Sequence, residues 1–239
     1  MLPKPKCRTK IVATLGPASS TEQTISNLIC AGVNIFRLNF SHGSAAEHTL
    51  RAGMIRSISA QLCMPVGILC DMQGPKIRIG SFTDDQHIQL VDDMPFTLDS
   101  NIDPNGGDQQ RVYIQQALLA DIQQGDTLLL DDGRLTLQVT AKSSTAATCI
   151  VIQGGVLSSK KGVNKFGGGL FADALTHKDM ADIKTAAALK TDYLAISFVR
   201  SREDVELARR LLNAAGSNAH IIAKIERAEA ITETYLPGI

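Results

Sequence analysis

Asn34-Ile35-Phe36-Arg37-Leu38-Asn39-Phe40-Ser41-His42-Gly43 is the stretch on which the rest of the chain turns. On an extended strand, Arg37, Asn39 and Ser41 project to one side, and Phe36, Leu38 and Phe40 to the other. One face is therefore apolar and suited to a core. The other presents a guanidinium, an amide and a hydroxyl in a row. No core needs such a row, whereas a site for an anion beside a cation would use all three.

Outward from this strand, short apolar runs alternate with helical stretches. Strands are expected at Lys10–Leu15, Asn34–Asn39, Pro65–Asp71, Tyr193–Phe198 and His220–Glu226. Helix starts are signalled by capping-box spacing at Ser19 with Glu22, Ser44 with Glu47, Thr176 with Asp179 and Ser201 with Asp204. Gly32 and Gly216 stand where helices should stop. Val205, Ala208, Leu211 and Leu212 share one helix face, and Met54 and Ile58 fall at core spacing. Strand–helix repeats of this kind imply parallel strands covered by helices.

The rhythm breaks between residues 75 and 172. There the pattern has period two (Thr127–Leu130, Leu135–Val139). Turn signals stand at Asn105-Gly106-Gly107 and Asp131-Asp132-Gly133. This reads as a small all-β domain inserted into an α/β body, giving segments 1–74, 75–172 and 173–239. The run Gly167-Gly168-Gly169 at its return reads equally as a hinge or as a floppy loop. About 98 inserted residues leave about 141 for the α/β body, enough for five strands, whereas a closed (β/α)₈ barrel takes roughly 250 residues. The body is thus either an open sheet or a barrel cut short.

Composition narrows the function. The 24 basic and 24 acidic residues balance, which gives no electrostatic case for nucleic acid or an anionic membrane. Five cysteines (Cys7, Cys30, Cys63, Cys70, Cys149) contain no Cys-x-x-Cys, which argues against a disulfide scaffold or zinc site and suits a reducing cytosol. Cys70 is expected to pack in the core. No apolar run approaches the ~18 residues of a membrane span, and the N-terminus lacks the apolar segment of a signal peptide.

Several charged residues sit where a core gives them no purpose. Lys224 and Glu226 are two apart on an expected parallel strand, a poor place for a solvated ion pair. There the glutamate suits Mg²⁺ and the lysine a developing oxyanion. Asp71 ends a strand, where barrel sites gather, with an N-cap or turn aspartate as the alternative reading. Lys76 and Arg78 add cationic donors. Lys160-Lys161-Gly162 fits either a polyphosphate contact or a solvated turn, with the turn favoured on the residues alone. His42 reads as a helix-entry or hydrogen-bonding residue.

Together these motifs resemble the pyruvate kinase family. The matching pieces are Lys10-Ile-Val-Ala-Thr-Leu-Gly-Pro17, Phe36-Arg-Leu-Asn-Phe-Ser-His-Gly43, Asp71-Met-Gln-Gly-Pro-Lys-Ile-Arg78, Lys160-Lys-Gly-Val-Asn164, Ile196-Ser-Phe-Val-Arg200 and Ala223-Lys-Ile-Glu226. The resemblance implies a TIM-type (β/α)₈ barrel, cut after about five units, with an inserted lid domain. It implies phosphoryl transfer from phosphoenolpyruvate to ADP, giving pyruvate and ATP, in the cytoplasm. Arg37 would bind phosphate. Asn39, Ser41, Asp71 and the Met72 carbonyl would hold K⁺. Arg78 and Lys161 would contact nucleotide phosphates, Lys224 would stabilise the group in flight, and Glu226 would ligate Mg²⁺ or Mn²⁺. A homotetramer would be expected of the full-length protein.

Three departures from the family pattern qualify this. The Met-Ala-Arg-Gly-Asp segment that brings a second carboxylate to the metal is absent, as are the later barrel units. Lys76 stands where many potassium-dependent members carry glutamate, so its ammonium is expected to substitute in part for K⁺. Asn164 is followed by Lys165-Phe166-Gly167 in place of Leu-Pro-Gly. Two rival readings remain: a Mg²⁺-dependent aldolase or lyase barrel, and a non-catalytic fragment. The 239-residue chain alone is expected to turn over little, and an open barrel is expected to self-associate.

Overall fold

The computed structural model describes residues 8–75, 77–169 and 174–231. In chain order the elements are β1 (Val12–Leu15), α1 (Glu22–Ala31), β2 (Ile35–Asn39), α2 (Ala45–Gln61), β3 (Gly67–Asp71), β4 (Ile88–Leu90), β5 (Pro95–Asp99) and β6 (Arg111–Tyr113). Then follow α3 (Gln116–Asp121), β7 (Thr127–Leu130), β8 (Leu135–Lys142), β9 (Ala146–Gln153), β10 (Gly155–Leu157) and β11 (Val163–Lys165). The last are α4 (His177–Ala188), β12 (Tyr193–Ile196), α5 (Arg202–Ala214) and β13 (His220–Ala223). The described residues fall into two compact units, 8–75 with 174–226 and 77–169 with 227–231.

The first unit is a half-barrel sheet of five parallel strands in the order β1-β2-β3-β12-β13. Its helix-facing side is apolar. Leu15, Phe36, Leu38, Phe40, Ile68, Cys70, Leu194 and Ile196 pack there with Ile25 and Ile29 of α1, Ile55 and Ile58 of α2, Ile183 of α4, and Ala208 and Leu212 of α5. The alternation read in β2 is the alternation found: Phe36, Leu38 and Phe40 are buried. Arg37 and Asn39 belong to the opposite face.

The capping residues at Ser44 and Thr176 start their helices as expected, each accepting the backbone N–H three residues on while Glu47 or Asp179 returns a bond. At the fourth box, the Asp204 carboxylate accepts the Ser201 N–H at 3.4 Å. The Ser19–Glu22 pair is a correction. The Ser19 hydroxyl instead accepts the Gly16 N–H at 2.9 Å in a short 3₁₀ turn, so the cap passes to Thr21, which accepts from Thr24. Two strands also stop early. β12 ends at Ile196, because Phe198 turns into the left-handed region (φ +56°), and β13 ends at Ala223. Lys224, Ile225 and Glu226 therefore lie past the strand.

The second unit is mainly antiparallel. Its six-stranded sheet runs β11-β7-β8-β9-β5-β6, and β10 and β4 form a separate pair. Phe96, Leu98, Leu128, Leu137, Cys149 and Val151 are among the residues of its own core. It is not purely β: α3 lies within it, and β5 and β6 pair in parallel because the intervening loop carries the chain back to the same end. The turn 131–133 runs through three left-handed residues, Asp131, Asp132 and Gly133, matching its Asp-Asp-Gly sequence. The glycine run is ordered by contacts. Gly167, Gly168 and Gly169 all have φ between +79° and +89°, and the Gly169 N–H donates to Glu229 Oε1 at 2.6 Å.

Candidate functional site

Asp71, the last residue of β3, is the centre of a charged cluster on the sheet face away from the helices. In register it stands beside Asn39 of β2 and Ala195 of β12. Its side chain is only 5% exposed, and a buried carboxylate requires cationic or hydrogen-bonding partners. Arg37 stands opposite Leu69 and reaches one pleat further. Its Nε and Nη2 lie 2.7 and 2.6 Å from Asp71 Oδ2, and its Nη1 donates to Thr14 Oγ1 at 3.1 Å. From the other side Lys224 Nζ approaches Oδ1 at 2.9 Å. Lys224 lies two residues past Ile222, the β13 partner of Ala195, so only a small side chain stands between it and Asp71.

Lys224 also lies 3.5 Å from Glu226 Oε1. Glu226 is oriented by the Phe198 N–H, which donates to Oε2 at 3.1 Å. A left-handed backbone at a bulky residue is costly, and such strain gathers at functional sites. Here it aims an amide at a carboxylate.

Around this cluster the turn Asn39–His42 is tied down. Asn39 Oδ1 accepts the Ser41 N–H at 3.0 Å, so Ser41 sits in a turn past β2 and the expected straight row of three side chains ends at Asn39. The Met72 carbonyl accepts the Ser197 hydroxyl at 2.6 Å, and the Gly74 N–H donates to the buried Asp179 carboxylate at 3.1 Å. Cys70 faces the helices, where burial pushes its thiol up to about 12 and leaves it inert.

Arg37, Asp71, Lys224 and Glu226 thus form one chain of contacts, with Asn39, Ser41 and Met72 adjacent in sequence or register. Arg78 and Lys161 belong to the second unit, where an isolated β-bridge brings their segments together. Arg78 pairs with Gly162 across a β-bridge and donates to the Lys160 carbonyl at 2.8 Å. Lys161 Nζ meets Asp131 Oδ1 at 2.8 Å. Lys76 lies outside the described residues. Sequence reasoning read Asp179 only as the partner of the Thr176 cap, and it assigned no site role to Thr14, Ser197, Phe198 or His48. None of these four carries a spacing signal, and each acts through a backbone atom or another side chain.

Among the described residues the cluster has spare donors. Of the five N–H groups of Arg37, three are engaged by the contacts above, and Lys224 has a third N–H beyond Asp71 and Glu226. An anion at this mouth would meet two cations held in place by one carboxylate. A parallel β/α half-barrel with its polar groups gathered at the carboxyl ends of the strands defines a β/α-barrel protein.

Comparison narrows the class. Residues 6–235 match the family model "Pyruvate kinase, barrel domain", and the chain belongs to the pyruvate kinase family. It is 49% identical over 227 residues to "Pyruvate kinase II" of Salmonella typhimurium, covering 95% of this chain and 47% of the relative. It is 50% identical over 225 residues to "Pyruvate kinase" of Buchnera aphidicola subsp. Acyrthosiphon pisum, covering 94% and 47%. A Haemophilus influenzae pyruvate kinase is 47% identical over 225 residues. The chain spans about half the length of the curated relatives it matches. No helix among the described residues is long and apolar enough to cross a membrane.

Proposed function

We propose that this chain supplies the phosphoenolpyruvate-binding part of a pyruvate kinase, which moves a phosphoryl group to ADP in the cytoplasm. The observation that carries the reading is the chain Arg37–Asp71–Lys224–Glu226, which joins groups 189 residues apart in sequence at one mouth. Phosphoryl transfer asks a protein mainly for positioning and charge neutralisation. Arg37 binds the phosphate. Lys224 neutralises charge on the group in flight and on the enolate oxygen. Arg78 and Lys161, on the second unit, contact the nucleotide phosphates.

The donor set suits the metals of this chemistry. Among the described residues no three His, Cys, Asp or Glu side chains form a metal cage. Mg²⁺ needs none: it is commonly held by one or two carboxylates with waters and substrate oxygens, and Glu226 offers one carboxylate. Mg²⁺ would supply further charge neutralisation on the phosphoryl oxygens. Asn39 Oδ1, the Ser41 hydroxyl, Asp71 and the Met72 carbonyl are hard oxygen donors that suit K⁺. Asn39 Oδ1 and the Met72 carbonyl each accept one hydrogen bond and keep a second lone pair.

The test is a chimera of residues 1–239 with the remaining half of the Salmonella typhimurium relative, assayed for pyruvate formation. Lys224→Met should lower kcat by at least about a thousandfold with KM little changed, the signature of an interaction made in the transition state. Arg37→Ala should raise the KM for phosphoenolpyruvate. Wild-type rates from Lys224→Met would refute the assignment. Turnover with phosphoenolpyruvate only in the absence of ADP would point to a lyase instead.

A further inference from the structure

The reading above leaves unused a buried histidine directly beneath the site. His48 is 2% exposed and is the fourth residue of α2. Its position follows from local sequence. The Ser44–Glu47 capping box fixes where α2 begins, and the His48 N–H makes an early helical bond, to the Ser44 carbonyl at 3.1 Å. Helical side chains lean toward the N-terminus of their helix, so the ring points back at the turn that precedes α2. It stacks on Phe40 with centroids 4.1 Å apart and planes 12° from parallel. Its Nε2 lies 3.0 Å from the His42 carbonyl. That carbonyl can only accept, so Nε2 carries the hydrogen and Nδ1 is bare. Nδ1 is buried and has no partner among the described residues.

The ring therefore grips both sides of Ser41. The other polar atoms of the turn are also held: the Phe40 N–H by the Asp71 carbonyl at 2.9 Å, the Phe40 carbonyl by Lys178 Nζ at 2.7 Å, and the Ser41 N–H by Asn39 Oδ1. We propose that His48 is a positioning residue: as the neutral Nε2–H tautomer it clamps Phe40 and His42, and so sets the turn that presents Asn39 and Ser41 to the site. The consequence for ligand binding rests on the function proposed above. The clamp itself does not.

Protonation would put a second N–H on Nδ1 with no acceptor, so the clamp requires neutral imidazole. Burial is the main cause holding the His48 pKa below its ordinary value; the His42 carbonyl opposes it. Arg51 on α2 pushes the same way as burial, while Glu47 on α2 and Asp182 on α4 oppose. Lys178, which pairs with Asp182, adds a cation nearby. The depressed value means that the unfolded chain binds the proton first. His48 stabilises the fold above about pH 6.5, and this is lost as pH falls through the folded value.

The experiment uses the 239-residue chain and two variants. His48→Phe keeps the stack and removes the donor; His48→Gln restores a donor. Long-range ¹H–¹⁵N spectra should show bare Nδ1 and protonated Nε2 in the parent at pH 6.5. In His48→Phe, the Phe40, Ser41 and His42 amides should exchange about tenfold faster while β12 amides do not, and His48→Gln should recover most of the protection. Phosphoenolpyruvate affinity should fall about five- to twentyfold in His48→Phe and recover in His48→Gln. A parent ring protonated on Nδ1, or unchanged turn exchange in His48→Phe, would overturn the clamp. Binding that is lost in Arg37→Ala but equal in parent and His48→Phe would sink its functional consequence and leave the proposed function standing. Binding that survives Arg37→Ala unchanged, or is absent from the parent, would count against the proposed function, and the exchange data would then decide the clamp alone.

Discussion

Asp71 places both carboxylate oxygens against cations, Oδ2 against Arg37 and Oδ1 against Lys224. With the carboxylate 5% exposed and the cations about one-third and one-quarter exposed, the pairing is screened on its outer side only. Asp71→Asn keeps the shape and removes the charge, leaving two cations facing a neutral amide. The expected cost is about 2 kcal/mol by urea denaturation at neutral pH. A change below about 0.5 kcal/mol would mean that water already satisfies both cations. At this scale the sequence was most informative where a charged residue had no core purpose. Arg37, Asp71, Lys224 and Glu226 were visible in that way. Thr14 and Ser197 were not, because a hydroxyl that bonds a guanidinium or a carbonyl looks in sequence like any other hydroxyl. His48 was hidden by its place on a helix face that reads as core.

The elements followed local chemistry closely, and their ends diverged where a competing local bond won. Ser19 has the spacing of a cap, but its hydroxyl is taken by the Gly16 N–H in the turn that Pro17 favours. β12 stops short of Phe198 because Phe198 takes a left-handed conformation and gives its N–H to Glu226, a tertiary preference that no strand propensity encodes. The segment after β3 is fixed in the same manner. Gly74 has φ +64°, and a Cβ built there would lie 2.8 Å from Ser197 Cβ and 2.9 Å from Phe198 Cδ2. Gly74→Ala should therefore cost about 2–4 kcal/mol, the sum of left-handed strain and overpacking. Gly32→Ala is the control, since Gly32 is also left-handed (φ +108°) with nothing within 4 Å, and it should cost only about 1 kcal/mol. Equal losses in the two variants would show that the contact with Ser197 and Phe198 is relaxed at little cost.

At the scale of the molecule, the period-two and strand–helix patterns separated a β-rich unit from an α/β unit, because each buries its own apolar set. The five-strand count also led to the expectation of an open sheet with exposed edges. Among the described residues, β1 and β13 each pair on one side only, so both leave a row of backbone donors and acceptors unpaired. Each edge leaves an apolar residue open on the site face, with Val12 52% and Ile222 39% exposed, while Ala13 and Ile221 pack toward the helices. Unpaired apolar edges template further pairing. The 239-residue chain should therefore sediment as a concentration-dependent mixture of monomer and larger species. Val12→Lys with Ile222→Thr should shift it toward monomer, because a lysine on an edge strand opposes strand addition and a threonine keeps the β-branched shape while adding a hydroxyl. Neither side chain takes part in the hydrogen bonds or ion pairs of the Asp71 cluster, so Arg37-dependent ligand binding should be unchanged in the double variant. A parent chain that stays monomeric as concentration rises would mean that the two edges are protected by some means other than pairing.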